Sequence, residues 1–150
     1  MSLLGKTVRR GPADLLMAAE ALVLLVVFRV CLAFVPVRKI LRGITRGEAG
    51  GKVDAGTAAG SEAEVVSAAR RVEWAVSAVA RHSVVEFVCF PQTLAGYTML
   101  RWRGVPSTMV YGVARSPEGE LLAHTWLMVG ERIVLGGEAA SGFAAVERWS

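Results

Sequence analysis

The sequence contains very little cysteine and histidine. Each occurs twice among the 150 residues, as Cys31, Cys89, His82 and His124. Metal sites need three or four protein ligands at short, recognisable spacings, and these four residues provide no such spacing. We therefore expect neither a metal site nor a cofactor. A disulfide is not expected either, because nothing in the sequence indicates an oxidising compartment.

Charged residues are also scarce. They make up 20% of the chain against 53% hydrophobic residues, with a formal net charge of +4. The positive excess lies near the N-terminus, in Lys6, Arg9, Arg10, Arg29, Arg38, Lys39, Arg42 and Arg46. Nucleic-acid-binding proteins usually carry a basic face interleaved with aromatic residues, which this pattern does not provide. The composition therefore argues against nucleic-acid binding and favours an acidic membrane surface or an acidic partner.

The longest apolar segment runs from Leu15 to Val37. Fourteen of its residues are Leu, Val or Phe, and each favours membrane insertion by roughly −0.3 to −0.6 kcal/mol. Glu20 and Arg29 oppose insertion by roughly +2.5 to +3.5 kcal/mol each, so the sum is close to zero. A secretory signal is disfavoured by Asp14 and Glu20 and by the lack of a small-x-small cleavage site.

We interpret this segment as a hydrophobic helix, ended or kinked by Pro36 and followed by a short basic helix over Val37–Arg42. Both helices are expected to pack on the rest of the protein or on a partner. A membrane-spanning helix and peripheral membrane contact through residues 13–42 stay open as alternatives. We expect a cytoplasmic protein, with membrane association left open.

Composition divides the chain into three parts. Residues 1–42 form the hydrophobic and basic helical extension. Residues 43–60 contain six glycines among eighteen residues and little to bury, which predicts a mobile linker. Residues 61–150 form a separate folded domain. This domain begins with Ser61 and Glu64 at the spacing of a capping box, and a helical apolar pattern follows to about His82.

The rest of this domain changes from a helical to a strand pattern. A second helix is predicted from Cys89 to about Arg103, with Pro91 in its first turn and Gly104 as its stop. The apolar period then becomes two. It predicts an antiparallel sheet with strands at Thr108–Arg115, Leu121–Val129, Arg132–Leu135 and Ala144–Trp149. The predicted fold class is therefore α+β.

Cys89 and His124 are the candidate catalytic pair. A helix N-terminus favours thiolate over thiol, and an imidazole can take the proton. Their spacing of 35 residues (124 − 89) matches the length of a helix, a turn and a hairpin. Either residue alone is more often structural, and His82, near the end of the preceding helix, is interpreted in that way. The combination indicates a cysteine peptidase or an acyl transferase.

A third group usually orients the histidine of such a site. If Gly130-Glu131 is a two-residue turn, Gly137 lies opposite His124, which places Glu138 nearby. Glu138 is therefore our candidate, and a backbone carbonyl in the same role is the alternative. The N–H groups at the start of the second helix are placed to bind an oxyanion, and Gln92 could add its amide.

Three stretches of the sequence resemble a known family. They are Cys89-Phe90-Pro91-Gln92-Thr93-Leu94-Ala95, Leu100-Arg101-Trp102-Arg103-Gly104-Val105-Pro106-Ser107-Thr108 and Ala123-His124-Thr125-Trp126-Leu127. Over residues 61 to 150 the chain resembles the protease domain of lasso-peptide biosynthesis B proteins, a group of transglutaminase-like and papain-like cysteine peptidases. The N-terminal segment resembles the start of the stand-alone form, whose leader-recognition domain is a separate polypeptide.

The resemblance implies a papain/transglutaminase-like core and a leader peptidase. Such enzymes cleave the leader from a ribosomally made lasso-peptide precursor before an ATP-dependent cyclase closes the macrolactam. Cys89 matches the nucleophile and His124 the base, whereas Gly136-Gly137-Glu138 stands where the family has an aspartate. The implied partners are the precursor peptide, a small leader-recognition protein and the cyclase.

Two other functions stay open. A non-catalytic scaffold of the same fold would hold a peptide or a partner protein in its cleft. A membrane-associated adaptor would act through residues 13–42. Fast alkylation of Cys89 near neutral pH would favour the peptidase over the scaffold, because an active thiolate reacts faster than a buried thiol.

Overall fold

The computed structural model describes residues 11–46, 60–83 and 88–150. The first element is helix α1, Pro12–Phe34, with its proline at a position where a missing N–H group costs nothing. The helix ends because Pro36 disfavours helical geometry at Val35, which is extended. Helix α2 follows at Val37–Arg46, four residues longer than the predicted basic helix.

Helix α3, Glu62–His82, confirms the predicted helix, but the capping box is not formed. Ser61 takes the N-cap position, yet its hydroxyl reaches the Glu64 carboxylate at 3.5 Å instead of a backbone N–H group. The Glu64 N–H donates to the Ser61 carbonyl at 2.8 Å. The first turn is therefore closed by the main chain.

The elements that follow confirm the predicted order. They are α4 (Cys89–Trp102), β1 (Thr108–Arg115), β2 (Leu121–Val129), β3 (Arg132–Leu135) and β4 (Ala144–Trp149). The strands form one antiparallel sheet in the order β3-β2-β1-β4. The fold class is α+β, as predicted.

A short helix that the sequence analysis did not predict separates β3 from β4. Helix α5 spans Gly137–Ala140 and begins after Gly136, whose φ of 76° is left-handed. The two-residue turn between β2 and β3 does form, but the pairing then becomes irregular and β3 ends at Leu135. The expectation that Gly137 pairs opposite His124 is therefore wrong, because the chain has already left the sheet.

The main hydrophobic core is shared by three helices and one face of the sheet. Its fully buried side chains include Ala21 and Leu25 of α1, Val72 and Val76 of α3, Leu94 and Leu100 of α4, and Met109 and Leu127 of the sheet. A smaller cluster of Val110, Trp126 and Ala140 lies on the other face, with Phe143 packed against it. Both faces of β2 are therefore covered from Thr125 to Leu127.

Ion pairs add to the packing that holds α1 on the other helices. Glu20 accepts two hydrogen bonds from the Arg103 guanidinium, at 2.7 and 2.8 Å. This hydrogen bonding raises the pKa of Arg103. Asp14 pairs with Arg71 at 3.4 Å. The interpretation of the segment as a hydrophobic helix packed on the rest of the protein is therefore confirmed.

Helix α1 also has the length and apolar composition of a membrane-spanning helix, although a core helix or a signal sequence can share these properties. It is therefore weak support for membrane association. Residues 47–59 of the predicted linker lie outside the described residues. The division into extension, linker and domain stays a prediction.

Candidate active site

Cys89 is the first residue of α4. Val88 before it takes the N-cap position, is extended, and makes no capping hydrogen bond with its side chain. The first N–H groups of a helix have no acceptor within it, and its positive end therefore lies beside the thiol. Pro91 is buried in the first turn and has no N–H group to leave unpaired. The free Cys89 side chain is half-buried, which leaves part of it accessible.

Two buried threonines join the Cys89 turn to β2. The Thr93 hydroxyl lies 2.7 Å from the Cys89 carbonyl oxygen and 3.0 Å from the Thr125 hydroxyl. A hydroxyl has a single proton, and Thr93 donates its proton to the Cys89 carbonyl oxygen. In the second bond the Thr93 oxygen is therefore the acceptor and the Thr125 hydroxyl the donor. The carbonyl of Cys89 is thereby connected, through two hydroxyl groups, to the residue that follows His124.

His124 leaves β2 on the face opposite Thr125, because successive side chains of a strand point to opposite faces. Its ring is half-buried and lies beside Trp126 and Phe143, at centroid distances of 6.2 and 5.2 Å. These two aromatic contacts restrict the orientation of the imidazole.

The His124 Nε2 atom lies 2.8 Å from the carbonyl oxygen of Gly136. A carbonyl oxygen only accepts, so Nε2 carries a proton and donates it to this bond. In the neutral ring the basic atom is then Nδ1. A main-chain carbonyl is therefore the group that orients the histidine in this structure.

Gly136 leaves no room for a side chain at the place where the resemblance implies an aspartate. A Cβ atom there would lie 2.6 Å from the Thr125 carbonyl oxygen and 3.2 Å from the Cα and Cβ atoms of Trp126. Its positive φ is also disfavoured for other residues. The same conformation that excludes a side chain allows the carbonyl to reach His124.

Glu138 lies in the first turn of α5 and is exposed. The Nε2 atom of His124 is bonded to the Gly136 carbonyl oxygen. Within the described residues, no hydrogen bond joins His124 to Glu138. A catalytic role of Glu138 stays a prediction that no contact supports.

The Cys89 thiol makes no hydrogen bond with the His124 ring in the part of the chain that the structure describes. Hydrogen bonds between catalytic groups are often long without substrate and shorten when it binds. Helix α4 and β2 contact each other through Thr93 and Thr125, which lies on the face of β2 opposite to His124. Their catalytic pairing stays a prediction.

The other candidate residues lie outside these contacts. His82 is exposed at the end of α3. Gln92 is half-buried in the first turn of α4, and its role at an oxyanion stays a prediction. Within residues 11–46, 60–83 and 88–150, no three His, Cys, Asp or Glu side chains lie together as a metal site would require.

The sequence analysis missed Thr93, Thr125 and Gly136. Thr93 had a readable signal, since it follows Cys89 by four residues, the spacing at which a helical threonine bonds back to a carbonyl. The Gly136-Gly137 dipeptide is a sequence signal typical of a turn. Neither signal identified the contact made across the fold, which is Thr125 for Thr93 and His124 for Gly136. Each of these contacts joins residues of different elements that are not neighbours in the sequence.

The sequence profile of the transglutaminase-like superfamily matches residues 22–148. This range begins inside α1 and ends inside β4, and it includes both Cys89 and His124. The chain belongs to the transglutaminase-like superfamily, which includes cysteine peptidases and transglutaminases. No curated protein and no solved structure shows a significant match to the chain.

Proposed function

We propose that the protein is a cysteine peptidase that removes the leader from a ribosomally made lasso-peptide precursor. The observation that carries the proposal is the position of Cys89 as the first residue of α4 in a transglutaminase-like chain. The N–H groups at a helix N-terminus present partial positive charge, and cysteine nucleophiles are often found at such positions. The resemblance of residues 61 to 150 to the lasso-peptide B proteins supplies the substrate class.

The proposed reaction is peptide hydrolysis through a thioester. The Cys89 thiolate attacks the carbonyl carbon at the leader–core junction, and His124 protonates the leaving amine. Water then attacks the thioester, His124 takes a proton from it, and the Cys89 thiolate leaves as the new carboxyl group of the leader forms. The hydrogen bond from Nε2 to Gly136 supports this role, because it leaves Nδ1 as the basic atom.

The partners belong to the same proposal. The precursor peptide is presented by a separate leader-recognition protein, and an ATP-dependent cyclase closes the macrolactam after cleavage, all in the cytoplasm.

The test incubates the full chain with a precursor and its leader-binding protein, and detects products by mass spectrometry. Wild type should produce one cut at the junction, and Cys89→Ala should abolish it while the circular dichroism spectrum stays unchanged. Cys31→Ala is the matched control, since Cys31 is the other half-buried free thiol and lies on α1. Equal cleavage by wild type and Cys89→Ala would refute the assignment.

A non-catalytic scaffold is the second candidate. It is favoured by the missing carboxylate at Gly136 and by the absence of a thiol–imidazole hydrogen bond in the described residues. Alkylation with iodoacetamide separates the two, using Cys31→Ala so that only Cys89 is labelled. A rate at pH 7 well above that of a free cysteine supports the peptidase, and a slower rate supports the scaffold.

A further inference from the structure

One side of α1 is apolar and solvent-exposed along the whole helix. This outer face includes Leu16, Val23, Val26, Val27, Val30 and Phe34, of which Phe34 is 83% exposed. With 23 residues, the helix is about 34 Å long. Monomeric soluble proteins seldom expose a contiguous apolar strip of this length without a binding function.

The charged residues of α1 leave the outer face uninterrupted. Asp14 and Glu20 turn toward the protein, where they pair with Arg71 and Arg103. Arg29 is the one exposed charged side chain of α1. The outer face therefore offers apolar contact and almost no hydrogen-bonding groups.

Helix α2, which begins three residues after the end of α1, adds positive charge. Ile40 packs against the main core, while Arg38, Lys39 and Arg42 are exposed. Arg38 and Arg42 are four residues apart and so share one side of the helix. The sequence of α2 contains no acidic residue.

This combination fits an anionic lipid surface better than a protein partner. Protein interfaces are enriched in Tyr, Trp, Met and Arg, and Leu and Val are under-represented among their strongest contacts. The outer face consists mainly of Leu and Val. Interfacial helices combine an aliphatic face buried at the level of the lipid head groups with nearby basic residues that bind anionic lipids.

We propose that α1 and α2 dock this protein on the surface of an anionic bilayer, with the outer face of α1 in the head-group region. The helix lies in the plane of the membrane and does not cross it, because its other side supplies Ala21 and Leu25 to the protein core. Arg38, Lys39 and Arg42 bind lipid phosphates. The proposal concerns location and does not depend on peptide cleavage.

The test floats the purified full chain with vesicles in detergent-free buffer. One set is phosphatidylcholine, and the other contains one third phosphatidylglycerol. Wild type should bind the anionic vesicles and bind the neutral ones more weakly. Val26→Glu/Val30→Glu should weaken binding to both kinds of vesicle by more than about tenfold. The reason is that two apolar side chains, exposed in the free protein but inserted in the bilayer when bound, are replaced by charges.

Two further variants test each part of the surface. Val146→Glu is the matched control, since Val146 is 62% exposed on β4, against 46% for Val26 and 52% for Val30, and its binding should equal that of wild type. Arg38→Gln/Arg42→Gln should weaken binding to anionic vesicles by about fivefold per charge and leave neutral vesicles unaffected. Unchanged circular dichroism and thermal melting establish that the variants are folded.

Three results would overturn the proposal. The first is an equal result for wild type and Val26→Glu/Val30→Glu in the flotation assay, whether both proteins bind the vesicles or neither does. The second is a stable dimer in sedimentation that only Val26→Glu/Val30→Glu dissociates, with no vesicle binding, since a second copy would then cover the outer face. The third is resistance of the bound chain to alkaline extraction, which indicates a spanning helix.

Discussion

Gly136 occupies a backbone conformation that other residues rarely adopt, and its carbonyl holds the imidazole of His124. Histidines in catalytic sites are usually oriented by a carboxylate or an amide side chain. A carbonyl oxygen carries only a partial charge, so it fixes the protonated nitrogen but stabilises an imidazolium less than a carboxylate would. We therefore expect the main chain to fix the orientation of the His124 ring without supplying a full counter-charge.

Gly136→Ala should lower both stability and cleavage. The left-handed conformation costs an L-residue about 1–2 kcal/mol, and the new Cβ atom would clash with the Thr125 carbonyl oxygen. Gly119→Ala is the matched control, because Gly119 has a φ of 88° and a Cβ atom added there would meet nothing within 4 Å. Urea denaturation and the cleavage assay measure the two effects. Equal losses for both variants would contradict a special role of Gly136.

Thr93→Val should destabilise the protein by about 1–3 kcal/mol, because the buried Thr125 hydroxyl loses its acceptor. Thr125→Val should lower the free energy of unfolding by a similar amount. The double variant should lose less than the sum of the two single losses, because each single variant already breaks the same Thr93–Thr125 hydrogen bond. Thr98→Val is the control, because Thr98 makes the same local bond, to the Leu94 carbonyl at 2.8 Å. Additive free energies of unfolding for Thr93 and Thr125 would refute the coupling.

At the scale of elements, α1 has a packed side and an exposed side. One side packs against α3 and α4, and the Glu20–Arg103 pair fixes its position. The hydrogen bond with Glu20 raises the pKa of Arg103, so the guanidinium is charged at every pH below the ordinary pKa of an arginine. Its contribution to stability is present there and is lost only as strongly basic pH rises through the raised pKa. The pair adds no pH dependence through Arg103 near neutrality.

Adjacent substitutions in α1 should distinguish its two sides. Leu25→Ala should lower the free energy of unfolding by about 2–5 kcal/mol, because a fully buried side chain is replaced by a cavity. Val26→Ala, at the next residue but 46% exposed, should change it by less than about 0.5 kcal/mol. Chemical denaturation of the full chain measures both. Similar losses for the two variants would show that the outer face is buried in solution.

At the scale of the whole molecule, one core connects α1, α3, α4 and the sheet. The superfamily match begins within α1, so this helix is part of the matched region. The division between an extension and a protease-like domain was based on composition, which records where glycine and charge accumulate. Composition does not record which apolar face another helix covers.

The sequence by itself determined the elements of this protein. The change of apolar period from helical to alternating indicated α3, α4 and the four strands, because each period follows from local backbone geometry. The same local reasoning placed Cys89 at a helix N-terminus and His124 on a strand. The four-residue α5 was missed because so short a helix has no periodicity to read.

Only the tertiary structure decided what each functional residue contacts. It brought Gly136, and not Glu138, to His124, since an irregular pairing and a left-handed glycine took the chain out of the sheet. It also joined Thr93 to Thr125 and divided α1 into a packed side and an exposed side. These contacts join residues that are far apart in the chain, and their geometry depends on packing, which a local pattern does not encode.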